Sequence, residues 1–210
     1  MTAVNVYQQR PTSGAKAESS LHHADLASLV GKGRKNAGVT LREKKLLGHL
    51  TIRGDGHDPA FAAGVHKALG LELPVALTVV AKGETSLQWM GPDEWLLVVP
   101  SGEEFAAEKK LREALGNLHI QIVNVSGGQQ ILELSGPKVR EVLMKSTSYD
   151  VHPNNFPVGK AVGTVFAKSQ LVIRRMGEDT WELVIRRSFS DYWWLWLQDA
   201  SAEYGLSIQA

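Results

Sequence analysis

The sequence predicts an α+β chain made of two related lobes, and three observations carry that expectation. Leu132 and Leu134 alternate with Glu133 and Ser135 as in a strand with one buried face, Gly136 breaks the run, and Val139, Val142 and Leu143 follow at helical spacing. The same strand, turn and helix occur earlier: Leu50 and Ile52 alternate with Thr51 and Arg53, Asp58 and Pro59 offer an N-cap and a first-turn proline, and Phe61, Val65 and Leu69 form a stripe ending at Gly70. Finally, Met90-Gly91-Pro92-Asp93-Glu94-Trp95 and Met176-Gly177-Glu178-Asp179-Thr180-Trp181 share the pattern Met-Gly-x-Asp-x-Trp, followed in both by x-Leu-Val. Each half then reads β-α-β-β-α-β, the order of a ferredoxin-like unit in which two helices cover one face of an antiparallel sheet. The expected division is an extended N-terminal arm over 1–37, a first α+β lobe over 38–126 and a second over 127–210, with the lobes packed as one unit.

Taken in order, Met1 to Ala37 is polar and unpatterned, and only His22 to Val30 suits a short helix. The Gly31-Lys32-Gly33-Arg34 run lacks both a preceding strand and a Gly-Lys-Ser/Thr ending, so it reads as a solvated loop rather than a phosphate cradle. An arm with so little apolar content is expected to be disordered or laid across a partner. Val75 to Ala81, Ser86 to Met90 and Trp95 to Val99 read as strands, with a turn at Gly91-Pro92-Asp93. Ser101 with Glu104 predicts a capping box before a helix carrying Ala107, Leu111, Ala114, Leu115 and Leu118, and His119 to Val125 closes the lobe as a strand. In the second lobe Pro137 suits the first helical position. Asp150 to Lys160, with two prolines, two asparagines and a glycine, reads as an ordered loop. Ser188 with Asp191 should cap the last helix as Ser101 does its counterpart.

Composition narrows the function. The 210 residues suffice for a sizeable core. The absence of cysteine excludes disulfides, thiolate metal sites, iron–sulfur clusters and a cysteine nucleophile, and fits a cytoplasmic location. With 23 Lys and Arg against 22 Asp and Glu, no field draws the chain to nucleic acid or membrane. No apolar run approaches the length of a membrane span, and none resembles a signal peptide.

No catalytic, cofactor-binding or metal-binding residue emerges. The seven histidines show no His-x-x-x-His or Glu-x-x-His spacing, Ser126-Gly127-Gly128 is no nucleophile elbow, and no Gly-x-Gly-x-x-Gly follows a strand. Trp95 and Trp181 read as equivalent core aromatics, and Asp93 and Asp179 as equivalent turn residues bonding their own backbone. His152, before Pro153, is expected to donate to a backbone carbonyl of its loop. The last helix differs. Phe189, Tyr192, Trp193, Trp196, Leu197, Ala200 and Tyr204 share one face, whereas Trp194 and Leu195 lie off it. Large apolar side chains outside the core stripe suit a partner surface, so Tyr7, Leu26 and Leu29 of the arm, with Trp194 and Leu195, are the expected partner-binding residues.

Gly91-Pro92-Asp93-Glu94-Trp95-Leu96, Val125-Ser126-Gly127-Gly128, Leu134-Ser135-Gly136-Pro137, His152-Pro153-x-x-Phe156-Pro157-x-Gly159 and Arg187-Ser188-Phe189-x-Asp191-Tyr192-x-x-x-Trp196-Leu197 together resemble the gamma subunits of bacterial heterotetrameric sarcosine oxidases. The resemblance runs from about residue 38 to the C-terminus; more distantly, Val125 to Leu143 is similar to the folate-binding aminomethyltransferase family. It implies a complex that oxidises sarcosine to glycine and hydrogen peroxide, forming 5,10-methylenetetrahydrofolate when tetrahydrofolate is the co-substrate. It also implies alpha, beta and delta subunits as partners, with FAD, FMN, NAD and zinc on those subunits and no cofactor on this chain. The alternative is a free-standing folate-binding or aminomethyl-transferring protein. RNA binding on a ferredoxin-like sheet lacks the aromatic motif and basic surface that it needs.

Overall fold

The computed structural model describes residues 17–209. After a 3-10 turn at His22–Ala24 come α1 (Leu26–Leu29), β1 (Val39–Lys44), β2 (Gly48–Arg53), α2 (Pro59–Leu69), β3 (Val79–Lys82), β4 (Thr85–Gly91), β5 (Glu94–Val99), α3 (Glu104–Leu115) and β6 (Gln121–Asn124). The second half follows with β7 (Gln129–Ser135), α4 (Val139–Ser146), β8 (Ala161–Phe166), β9 (Ser169–Arg175), β10 (Thr180–Arg186), α5 (Ser190–Ser201) and β11 (Leu206–Gln209).

The strands form two sheets, ordered β3-β4-β5-β2-β6 and β11-β1-β7-β10-β9-β8. The ferredoxin-like order is plain in the first sheet: β6, β2, β5 and β4 are the four strands of the split unit, and β3 is an added edge. The second sheet matches it strand for strand, with β8 as the added edge and β1 wedged between β11 and β7, parallel to the former and antiparallel to the latter. The repeat is therefore structural. Ile52 pairs with Trp95 as Leu134 pairs with Trp181, and the Gly54 and Gly136 amides donate to the carbonyls of Asp93 and Asp179 at 3.1 and 3.0 Å. Gly136 has φ +119, and a Cβ there would lie 2.6 Å from the Gly38 carbonyl oxygen, so only glycine fits where β1 enters beside β7.

Period-two burial sets the layers. On β5, Trp95, Leu97 and Val99 join the core under α2 and α3, whereas Leu96 and Val98 face the other sheet. On β10, Trp181, Leu183 and Ile185 join the core under α4 and α5, and Val184 faces back. Val79, Leu96, Val98, Ile131, Ala161, Val172 and Val184 thus form a shared seam, which gives four layers in the order helices, sheet, sheet, helices. Strands buried on both faces explain the unbroken apolar run of Trp95–Val99.

A fully buried ion pair lies in this seam. Arg174, on β9, donates from Nε to Glu182 Oε2 at 2.6 Å and from Nη1 to Ser86 Oγ and Gln88 Oε1 of the opposite sheet at 3.1 and 3.2 Å. Lys44 donates to the other Glu182 oxygen at 2.8 Å. Burial raises the Glu182 pKa, but Arg174 and Lys44 outweigh it and hold the carboxyl below its usual range. Nearby His49 is 1% exposed. Its Nδ1 lies 3.0 Å from the Leu47 carbonyl and so carries the proton. Desolvation, against the raising effect of that bond and with Arg174 adding repulsion, lowers its pKa to about 4.

Several local expectations are corrected. β1 lies within the expected first lobe, 38–126, yet it hydrogen-bonds into the second sheet because Val39 and Leu41 are buried in the second lobe's core. Three strands separate the helices of each lobe, as the strand reading of the first lobe gives, so each βαββαβ unit carries one added strand. Residues 75–78 form a turn, and β3 starts at Val79. Asp58 does cap α2, accepting from the Ala60 amide, but α3 and α5 start at Glu104 and Ser190 without side-chain caps, so Ser101 and Ser188 do not cap them. Pro137 precedes the helix, whose N-cap is Lys138. The Asp93 carboxylate pairs with Arg53 at 2.5 Å rather than with its own turn. His152 is exposed, and its Nδ1 accepts from the Asn154 amide at 3.3 Å instead of donating to a carbonyl.

Two predictions follow from the seam. Arg174→Met leaves Glu182 buried with only Lys44 as counter-charge, and should cost about 3–5 kcal/mol in urea unfolding; a loss below about 1 kcal/mol would mean that the cluster does not hold the seam. His49 is depressed in the folded state, so its contribution is present above the unfolded value of 6.5 and is lost as pH falls toward about 4. Between pH 7 and 4.5 the parent should lose roughly 2–3 kcal/mol more than His49→Gln. Parallel stability profiles would show that His49 is not held neutral.

Candidate partner interface

The last helix is docked by Trp193, Leu197 and Ala200, spaced i, i+4 and i+7 and all buried against the second sheet. Around them, Trp196 donates from Nε1 to Ser146 Oγ on α4 at 3.0 Å, Lys145 donates to the Ala200 carbonyl at 3.0 Å, and Tyr192 Oη accepts from the Lys168 amide at 3.1 Å. Trp193 packs on Phe166 with ring centroids 4.8 Å apart. Anchored on one side and tied at both flanks, α5 holds its outer side chains on a rigid support.

The described part of the arm lies on the same lobe. Glu43 of β1 accepts from Ser19 Oγ, the Leu21 amide and Gln130 Nε2 at 2.9, 3.2 and 2.8 Å. Gln130 Oε1 in turn accepts from Ser190 of α5 at 2.7 Å and from Ser20. Leu21 and Leu26 are then buried in the second lobe's core. The stretch from Ser19 to Leu26 is thus held by this chain itself, which for these residues corrects the expectation of an arm that is disordered or laid across a partner.

The five expected partner-binding residues separate accordingly. Leu26 is 3% exposed and used internally, so it offers no face to a partner. Leu29 and Trp194, both half-buried, come together in one groove of about 290 Å³ with Leu206 and Ile208 of β11 and the stem of Lys32. Leu195, 65% exposed, stands next to Trp194 on α5. Tyr7 lies outside the described residues. Sequence reading missed Leu206 and Ile208, whose alternation with Ser207 and Gln209 was the signal of a strand beside the groove. It also missed Arg174 and Glu182, although Glu182 sits inside the apolar run of β10 and so calls for a buried counter-charge.

Chemistry is sparse elsewhere. Among the described residues no group of three or more His, Cys, Asp or Glu side chains is arranged to hold a metal, and no helix is long and apolar enough to cross a membrane.

The sequence profile of the sarcosine oxidase, gamma subunit family matches residues 53–203. The sarcosine oxidase subunit gamma of Corynebacterium sp. (strain P-1) is 37% identical over 181 residues, covering 85% of this chain and 88% of that relative. Its counterpart from Corynebacterium sp. (strain U-96) is 32% identical over 205 residues, covering 97% of this chain and 95% of the relative. Among solved structures, a chain of the heterotetrameric sarcosine oxidase from Corynebacterium sp. U-96, in complex with pyrrole 2-carboxylate, superposes with a TM-score of 0.80 at 32% identity, over 90% of this chain and 96% of that one. The glycine cleavage system aminomethyltransferase T from Bartonella henselae shares the fold at a TM-score of 0.61 and 16% identity, over 82% of this chain and 48% of that one. With its family profile, near-full-length relatives and superposed fold in agreement, the chain belongs to the sarcosine oxidase gamma subunit family.

Proposed function

We propose that this chain is the non-catalytic gamma subunit of a cytoplasmic heterotetrameric sarcosine oxidase, and that it works by binding its alpha, beta and delta partners. The complex would demethylate sarcosine oxidatively to glycine and hydrogen peroxide, forming 5,10-methylenetetrahydrofolate with tetrahydrofolate. FAD, FMN, NAD and zinc belong, on this reading, to the other subunits. The observation that carries the partner role is the apolar side of α5: Leu195 is exposed beside a half-buried Trp194, which faces Leu29 across a groove. Exposed Val30 extends the apolar surface from the arm side. A rigid helix presenting an aromatic and an aliphatic anchor is the usual composition of an interface centre. The proposed surface therefore comprises Leu29, Trp194 and Leu195, with Tyr7 of the arm as a further anchor.

Retention in the complex tests this surface. Leu195→Ser should leave the urea midpoint of the isolated chain unchanged, and Trp194→Ala should lower it only slightly. Each anchor is worth about 1–3 kcal/mol when buried in a partner, so each variant should dissociate from co-expressed large subunits roughly 5- to 150-fold more readily on dilution. Trp193→Ala, by contrast, should unfold the chain itself, at a cost of about 3–5 kcal/mol. If both surface variants co-purify as well as the parent at every dilution, the partner surface lies elsewhere.

A further inference from the structure

The groove between α5 and β11 carries a charge that its apolar lining does not explain. Leu29, Trp194, Leu206 and Ile208 form its apolar wall, Lys32, Gly33 and Gln198 complete it, and no acidic residue lines it. Lys32, Arg34 and Lys35 are exposed, yet the backbone of their loop is pinned. The Lys32 amide donates to the Leu29 carbonyl at 3.1 Å, and the Ala37 amide to that of Arg34 at 3.2 Å. A Cβ on Gly33 would lie 2.5 Å from the Leu206 carbonyl oxygen, and one on Gly205 would lie 3.1 Å from Arg34 Cδ. Glycine at both positions lets the loop lie directly against β11. Lys32 is thereby held in the groove wall, and Arg34 against the residue that leads into β11.

Neither cation has a carboxylate within ion-pair distance among the described residues. The acids of the neighbouring elements are engaged or elsewhere. Glu203 pairs with Lys145, Asp191 with His23, and Asp25 lines another cleft with Glu43 and Lys45. Asp199, four residues after Leu195, shares that residue's side of α5 rather than the groove. Two uncompensated cations beside an apolar groove match an occupant that is acidic and carries an apolar side chain. At about 290 Å³ the groove is at the lower limit of small-molecule pockets, which suits a single large side chain. The near balance of 23 Lys and Arg against 22 Asp and Glu offers no field for a nucleic acid. We infer, on the partner role proposed above, that this groove receives an acidic segment of a partner subunit. One large aliphatic or aromatic side chain of that segment is seated against Trp194, Leu206 and Ile208, and its carboxylates meet Lys32 and Arg34.

Retention in the co-expressed complex on dilution, read at about 50 and about 500 mM salt, tests the charge of the occupant. The double substitution of Lys32→Glu with Arg34→Glu should dissociate roughly tenfold more readily than the parent at low salt, with the gap closing at high salt. Lys67→Glu with Lys110→Glu, the same change of charge on the outer side of α2 and α3, should match the parent. Carbodiimide treatment of the assembled complex should join the Lys32 amine to a partner carboxylate. If the Lys32 and Arg34 double variant matches the parent at both salt concentrations while Trp194→Ala dissociates, the groove meets a partner that is not acidic, and the inference falls with the partner surface intact. If Trp194→Ala and Leu195→Ser are retained as well, the partner surface itself is wrong. A Lys67 and Lys110 variant as weak as the first, or a Lys32 that couples to no partner peptide, would also overturn the inference.

Discussion

Arg174 lies where two sheets are pressed face to face, and a guanidinium in that position is tolerable only with partners on every side. It has them from both sheets: Glu182 on the neighbouring strand of its own, and Ser86 and Gln88 on the other. Such a pair adds little net stability over apolar packing of the same volume, since desolvating both charges offsets most of their attraction. Its effect is on register. Any slide of one sheet over the other would strand a buried charge, so the pair admits one relative placement of the lobes where the surrounding Val79, Leu96, Val98, Val172 and Val184 would tolerate several.

That placement carries outward through the layers. The second sheet fixes α5 through Trp193 and Leu197, and the arm joins the same lobe through Glu43 and Gln130. Trp194 and Leu195 consequently stand on a helix anchored by its buried face, which lowers the ordering cost of binding a partner. The repeated lobes differ on this point. The first sheet has β6 directly beside β2, whereas the second admits β1 between β11 and β7, and it is this extra strand that brings the arm, with Leu29, alongside α5.

Much of this was legible in the sequence because period and repeat are local signals. The Met-Gly-x-Asp-x-Trp pattern placed Trp95 and Trp181 on equivalent strands, and their partners Ile52 and Leu134 prove equivalent as well. The destination of β1 was not legible. Val39, Leu41 and Glu43 alternate as any strand does, and nothing local tells which of two similar sheets receives it. The caps failed for a related reason: Ser101 and Ser188 have acidic residues at the right spacing, but the chain enters each helix one or two residues later. Among the expected interface residues, Leu29 and Trp194 line one groove and Leu195 is exposed next to Trp194 on α5, whereas Leu26 turns inward to the second lobe's core.

Hydrogen exchange compared between the isolated chain and the assembled complex addresses the partner surface as a whole, without altering any residue. Peptides covering 26–33 and 190–209 should gain protection on assembly, while the outer faces of α2 and α3 remain as they are in the free chain. Unchanged exchange over 190–209, with new protection confined to α2 and α3, would contradict the assignment of the partner face to the second lobe.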